Sequence, residues 1–253
     1  MTVRELYRYL DEKMPPALSC TWDNDGLMCC PDGAREVRRV LVTLDVTAAA
    51  VKHAIEGGYD VIVSHHPMIF KGLRAINDEN YIADKAMTLI RAGVAVMSFH
   101  TRLDAVAGGV NDTLAALLGL CDVAPFGEEA IGRIGTLDKP EALSAFASRV
   151  KSTLGAPAVA VADAGKPVCR VAVLGGAGGD DVAAALTAGA DTYVSGTLGY
   201  HDLVDAPENG MNLIAAGHYY TEAPVCDVLR AWIGEADETI ICDIYRSANV
   251  AVI

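Results

Sequence analysis

Long apolar runs are missing from this chain, although 52% of its 253 residues are hydrophobic. No stretch approaches the roughly 20 consecutive apolar residues that a bilayer span needs, so no membrane partner is expected. The opening MTVRELYRYLDEK alternates charge with apolar residues where a signal peptide would carry an apolar core, and reads as an amphipathic helix. A cytoplasmic location is the expectation. Basic residues are scarce too: 20 Lys and Arg stand against 33 Asp and Glu, a formal charge of −13. An acidic coat repels a phosphate backbone, and no Lys/Arg cluster offsets it, so no nucleic-acid partner is expected. The seven cysteines contain no C-x-x-C pair, and two of them, Cys29 and Cys30, are adjacent. A thiolate zinc site or a disulfide framework would look different, and adjacent cysteines rarely pair, which leaves a redox role little support. Reduced, mostly buried cysteines are expected.

What is present is an alternation of strand-length apolar runs with helical patterns, the mark of an α/β fold with mostly parallel mixed sheets. Strands are expected at Arg39–Leu44, Asp60–Ser64, Val94–Phe99, Arg170–Leu174, Thr192–Ser195 and Met211–Ala215. Helices are expected at Val3–Lys13, Thr47–Glu56, Tyr81–Ala92, Asn111–Leu118, Glu141–Leu154, Asp180–Ala188 and Pro224–Ile233.

The chain also repeats itself. RVLVTLDVTAAAVKHAIEGGYDVIVSHH has an ungapped counterpart 131 positions later, RVAVLGGAGGDDVAAALTAGADTYVSGT, with Val40 on Val171, Asp60 on Asp191 and Ser64 on Ser195. Each copy then runs through an apolar strand into H-x-x-x-acid, His100–Asp104 in one and His218–Glu222 in the other. The expectation is two packed, duplicated α/β halves, 1–125 and 126–253, dividing around Pro125–Phe126–Gly127.

The candidate chemistry sits where the strands end. His65 and His66 follow the strand VIVS and precede Pro67, which helps to end it. Adjacent side chains on a strand face opposite ways, so the two histidines converge only where the chain turns. Open α/β sheets bind their ligands at the carboxyl ends of strands. His218 and Glu222 follow MNLIAAG, with Thr221 a candidate cap for the helix after it. Together these motifs hold four of the six histidines. Imidazole and carboxylate ligands without thiolate suit Zn, Mn, Fe, Co or Ni. Two carboxylates, which can bridge, suggest two divalent ions with positions left open to water. Two such ions leave a net positive pocket that would attract a small anionic substrate.

Four segments resemble one known family: WDNDGL (Trp22–Leu27), SHHPMIFK (Ser64–Lys71), HTRLDAVAGGVND (His100–Asp112) and GHYYTEAP (Gly217–Pro224). They look like the motifs of the Nif-three-like family, whose members are often labelled GTP cyclohydrolase I type 2 homologues. The resemblance covers nearly the whole chain in the correct order. It implies a dinuclear metal centre on His65, His66, Asp104, His218 and Glu222, two intertwined α/β halves, and a ring-shaped homo-hexamer. This chain resembles the short form, without the domain that longer relatives insert between the halves. From the two-ion donor set, the expected activity is metal-dependent hydrolysis of a small anionic or nucleotide-like substrate, with His100 the candidate acid/base. A non-enzymatic metal carrier, sensor or scaffold is the alternative. Lys71 and Arg102 are candidates to hold an anionic group or are solvated surface charges. His201 is a candidate for lining the pocket, and His53 reads as a solvated helix residue. Asp23–Asn24–Asp25–Gly26 reads as a tight turn. Gly175–Gly179 invites a phosphate-loop reading but lacks its lysine.

Overall fold

A computed structural model of the chain describes residues 1–246. The chain runs from α1 (Val3–Lys13) through β1 (Gly26–Cys29), β2 (Arg39–Thr43), α2 (Ala48–Glu56), β3 (Val61–Ser64) and α3 (Tyr81–Ala92) to β4 (Ala95–Ser98) and α4 (Thr101–Ala105). It continues with α5 (Val110–Leu117), β5 (Cys121–Phe126), β6 (Gly132–Glu141), α6 (Leu143–Leu154), β7 (Ala160–Ala162) and β8 (Val168–Ala177). Then come α7 (Val182–Thr187), β9 (Thr192–Thr197), α8 (Tyr200–Glu208), β10 (Asn212–Ala215), α9 (His218–Glu222), α10 (Val225–Ala236) and β11 (Ile241–Tyr245). Among the described residues no helix is long and apolar enough to cross a membrane.

Two compact units form, each around its own mixed, largely parallel sheet. The first holds Met1–Leu103 and residues 225–246. Its strands lie in the order β1-β4-β3-β2-β11, all parallel neighbours except the edge pair β1–β4. Val61–Ser64 and Ala95–Ser98 are buried throughout, which is why they read as continuous apolar runs and not as alternating ones. Leu41, Ile62 and Val96 pack with Val51 and Ala54 of α2 and Leu89 of α3. A capping box at Thr2 and Glu5 starts α1, each side chain bonding the other residue's backbone N–H.

The second unit holds Asp104–Pro224. Its sheet has the order β5-β6-β8-β9-β10-β7, with β8, β9 and β10 parallel and the outer pairs antiparallel. Alternation along β8 serves two cores. Val171 and Val173 join α5 and α6, whereas Ala172 and Leu174 join α7 and α8. The residue 125 division expected from the repeat falls inside β5, because α5 packs on β6 and β8 of this second sheet.

The duplication is visible bond by bond. Val40 pairs with Val61 and Thr43 with Ser64; 131 positions on, Val171 pairs with Thr192 and Leu174 with Ser195. The Asp60 carboxylate accepts from the backbone N–H of Arg38 and Arg39. Its counterpart Asp191 accepts from Cys169 and Arg170 in the same way. Gly58 and Gly189 both adopt positive φ (66° and 84°) to turn the helix back into the strand.

The match of the two H-x-x-x-acid motifs needs correction. Ser64 pairs with Ser98, and Ser195 with Ala215. Counting on from those pairs, α4 and α9 both begin three residues later, so Thr101, not His100, is the counterpart of His218.

Candidate metal centre

In the first unit the carboxyl ends of the adjacent parallel strands β3 and β4 bring three imidazoles together. His65 and His66 leave β3 on backbone bonds to Thr43 and Leu44, which hold the turn against the end of β2. His65 is fully buried, and its Nδ1 lies 3.0 Å from the Phe99 carbonyl oxygen. A carbonyl only accepts, so the proton sits on Nδ1 and the lone pair on Nε2. His66 Nδ1 meets Asp45 Oδ1 at 2.7 Å, and His100 Nδ1 meets Asp23 Oδ1 at 2.9 Å, with the same consequence. An oxygen on one ring nitrogen and a lone pair on the other is the arrangement of metal-ligating histidines. The three rings stand 4.9–5.7 Å apart between centroids. Each offers a ligand atom within 4.8 Å of the other two.

The WDND segment is an anchor for this cluster and not merely a turn. The buried Asp23 carboxylate accepts from His100 Nδ1, from Thr101 N–H at 3.0 Å and from Thr101 Oγ1 at 2.7 Å. Burial by itself would raise its pKa. The three donors outweigh burial and hold the group well below the usual carboxylate range. Asp25 accepts from His100 N–H at 3.2 Å and from Arg102 Nε at 3.0 Å. Gly26 then opens β1 at φ 109°, where a Cβ would press on the Tyr7 hydroxyl.

Arg102 is neither an anion holder nor a surface charge. It is 1% exposed, ion-paired to Asp11 at 2.7 Å and to Asp25, and lies over the Phe99 ring. Lys71 is exposed, as are His201 on α8 and His53 on α2.

In the second unit the ligand candidates come from helices instead of strand ends. Glu222 and Asp104 are buried, at 4% and 8% exposure, and present carboxylate oxygens within 4.8 Å of each other. His218 Nε2 lies 3.1 Å from Glu222 Oε2, one helical turn along α9. Two buried carboxylates at that spacing repel strongly unless a cation or a proton lies with them. The donor set therefore fits a metal ion.

Glycines make the room. A Cβ on Gly176 would collide with Glu222 and touch His218, and one on Gly196 would strike Thr221 Oγ1 and the His218 backbone. Gly175 and Gly176 are thus a floor for α9, whereas Gly178 faces Tyr193 and Ser195, and Gly179 faces Asp202. Thr221 is no cap for α10, since it lies inside α9, buried, and accepts the Gly176 N–H at 3.0 Å.

The repeat explains the glycines. Gly176 is the counterpart of Asp45, and Gly196 of His65. The second copy empties those strand-end positions, and its candidate ligands His218 and Glu222 stand on the following helix, as Asp104 does in the first copy.

These features have known company. A family model described as DUF34/NIF3 (NGG1p interacting factor 3) matches residues 1–248. The chain belongs to this family. A Nostoc protein named GTP cyclohydrolase 1 type 2 homolog is 35% identical to this NIF3-family chain over 236 residues, 90% of each. A Clostridium perfringens protein of the same name is 32% identical over 232 residues, covering 89% of this chain and 88% of its own. Among solved structures, Staphylococcus aureus protein SA1388 is 27% identical with a TM-score of 0.88, covering 100% and 99% of the two chains. Reduced HcgD from Methanocaldococcus jannaschii is 25% identical with a TM-score of 0.85, covering 96% and 97%.

Proposed function

We propose that this NIF3-family protein holds two divalent transition-metal ions on His65, His66, Asp104, His218 and Glu222, and hydrolyses a small anionic, nucleotide-like substrate with them. The observation that carries the reading is the donor chemistry. Two buried carboxylates lie side by side, and His65 and His66 have their Nδ1 atoms tied to oxygen so that Nε2 can ligate. Bound divalent ions supply a Lewis acid and lower the pKa of water toward neutrality.

The protein's own groups do the rest. Phe99 O and Asp45 fix the ring orientation of His65 and His66. His100 moves a proton at Nε2, and Asp23 balances the imidazolium that forms. Two divalent cations against two carboxylates leave a positive pocket in an acidic protein, which favours an anion. The name carried by the relatives points to a nucleotide as well. Self-association into a homo-hexameric ring and a cytoplasmic location belong to the same proposal.

The test is turnover of a broad nucleotide and phosphoester panel by metal-loaded protein. Wild type should release product, Glu222→Gln should lose at least about a hundredfold, and His100→Ala should slow turnover while keeping its metal. Full metal occupancy with no turnover on any substrate would instead favour a carrier, sensor or scaffold.

A further inference from the structure

Phenylalanine and tryptophan rings are few here and mostly hidden, and the two that are exposed meet at the histidines. Of the four phenylalanines, Phe99, Phe126 and Phe146 are buried, whereas Phe70 is 43% exposed. Trp22 is 57% exposed. The two rings stand 6.2 Å apart with their planes at 70°, like two walls of a corner. His100 meets both edge-on, at 6.3 Å from Trp22 and 6.0 Å from Phe70.

The corner is held rigidly. Asp23 and Asp25, on either side of Asn24, are anchored to residues 100–102, and the Asn24 side-chain amide donates to the Ile69 carbonyl beside Phe70. A loop fixed by two buried carboxylates, yet presenting an indole to solvent, is built to offer that ring to something. Phe70 also lines a cavity of about 500 Å³ that reaches His66 and has Tyr81 and Lys85 on its wall. That volume lies within the range of small-molecule sites, which combine apolar walls with a few placed polar groups. The Lys85 ammonium donates to the Val46 carbonyl at 2.7 Å and has further hydrogens to give to a ring heteroatom.

We infer that Trp22 and Phe70 bind a planar heteroaromatic ring of the substrate, stacked on one wall and edge-on to the other, beside His100 and His66. The inference rests on the metal-dependent reading of those histidines for its placement, but ring binding itself needs no metal. Stacking on an aromatic side chain is strong enough to read, since removing one such ring costs about 1–3 kcal/mol, or roughly five- to a hundredfold in affinity.

Trp22 and Trp232 are the two tryptophans, so Trp232→Phe leaves Trp22 as the sole indole reporter. The full chain carrying Trp232→Phe is titrated, metal-free and metal-loaded, with adenosine, guanosine and nicotinamide as ring probes. Glycerol 3-phosphate and glucose 6-phosphate serve as ring-free controls. Saturable quenching by at least one ring probe and by neither control is expected in both forms. Phe70→Ala should weaken it about five- to a hundredfold, Phe70→Tyr should restore it, and metal content should not change in either variant. Absence of saturable quenching by every ring probe, or equal affinity in Phe70→Ala, overturns the inference. Dissociation of an oligomer by Phe70→Ala with ring affinity intact also overturns it, and assigns the corner to contact between copies. Ring binding in a protein that takes up no metal would sink the metal reading and leave the corner standing.

Discussion

At the residue scale, the centre depends on which nitrogen of each histidine keeps its proton. Asp45, Asp23 and the Phe99 carbonyl settle that for His66, His100 and His65. Asp23 gives this a pH signature. Its folded pKa is depressed below the ordinary carboxylate value of about 3.9. The stabilisation is therefore complete above that value and is lost as pH falls through the lowered folded one. Asp23→Asn should lower stability at neutral pH by about 1–3 kcal/mol and flatten the acid limb of the melting curve below about pH 4. Thermal melts of chelated protein from pH 2 to 7 check this; an acid limb as steep as wild type's would refute it. The candidate ligands were legible in the sequence because His65 and His66 end a strand, while Asp104, His218 and Glu222 fall on short helices just beyond one. Asp45 and Asp23 were not, because the partners of His66 and His100 are decided by which segments the sheet order sets side by side.

At the element scale, the duplicated βαβ unit is the folding rule that positions the site. Asp60 and Asp191 do the same work, each satisfying two backbone N–H groups at the start of the preceding strand. Asp60→Ala and Asp191→Ala should both destabilise by about 1–3 kcal/mol in urea titrations, with Asp60→Ala the worse because it also strands Arg35. A neutral effect in either would mean that the carboxylates are ornamental. Gly196→Ala tests the floor beneath α9: the added methyl should shift His218 and reduce metal uptake, whereas the same change at Gly234, which borders open space, should leave uptake untouched.

Six of the seven inner strands and most helices were legible because burial on both faces, or along one helical stripe, writes itself into the apolar pattern. The missed elements lack that pattern. β5 is almost wholly exposed and contains Pro125, β6 ends in Asp138–Lys139–Pro140–Glu141, and α8 carries Pro207 inside it. α4 and α9 are five residues long, too short for a period to show.

At the scale of the whole molecule, one chain supplies imidazoles from strand ends in its first unit and carboxylates with an imidazole from helices in its second. Anything that binds the folded chain alone stabilises it, by about 2.7 kcal/mol when free metal is a hundredfold above its dissociation constant. Chelation should lower the melting temperature accordingly, and Glu222→Ala should abolish most of that difference. The most direct measurement is metal per chain by elemental analysis. Protein purified without chelators, then saturated and desalted, should carry about two ions. His65→Ala and Glu222→Ala should each lose at least one while keeping wild-type circular dichroism. An unchanged metal load in both folded variants would contradict the assignment of these residues as ligands.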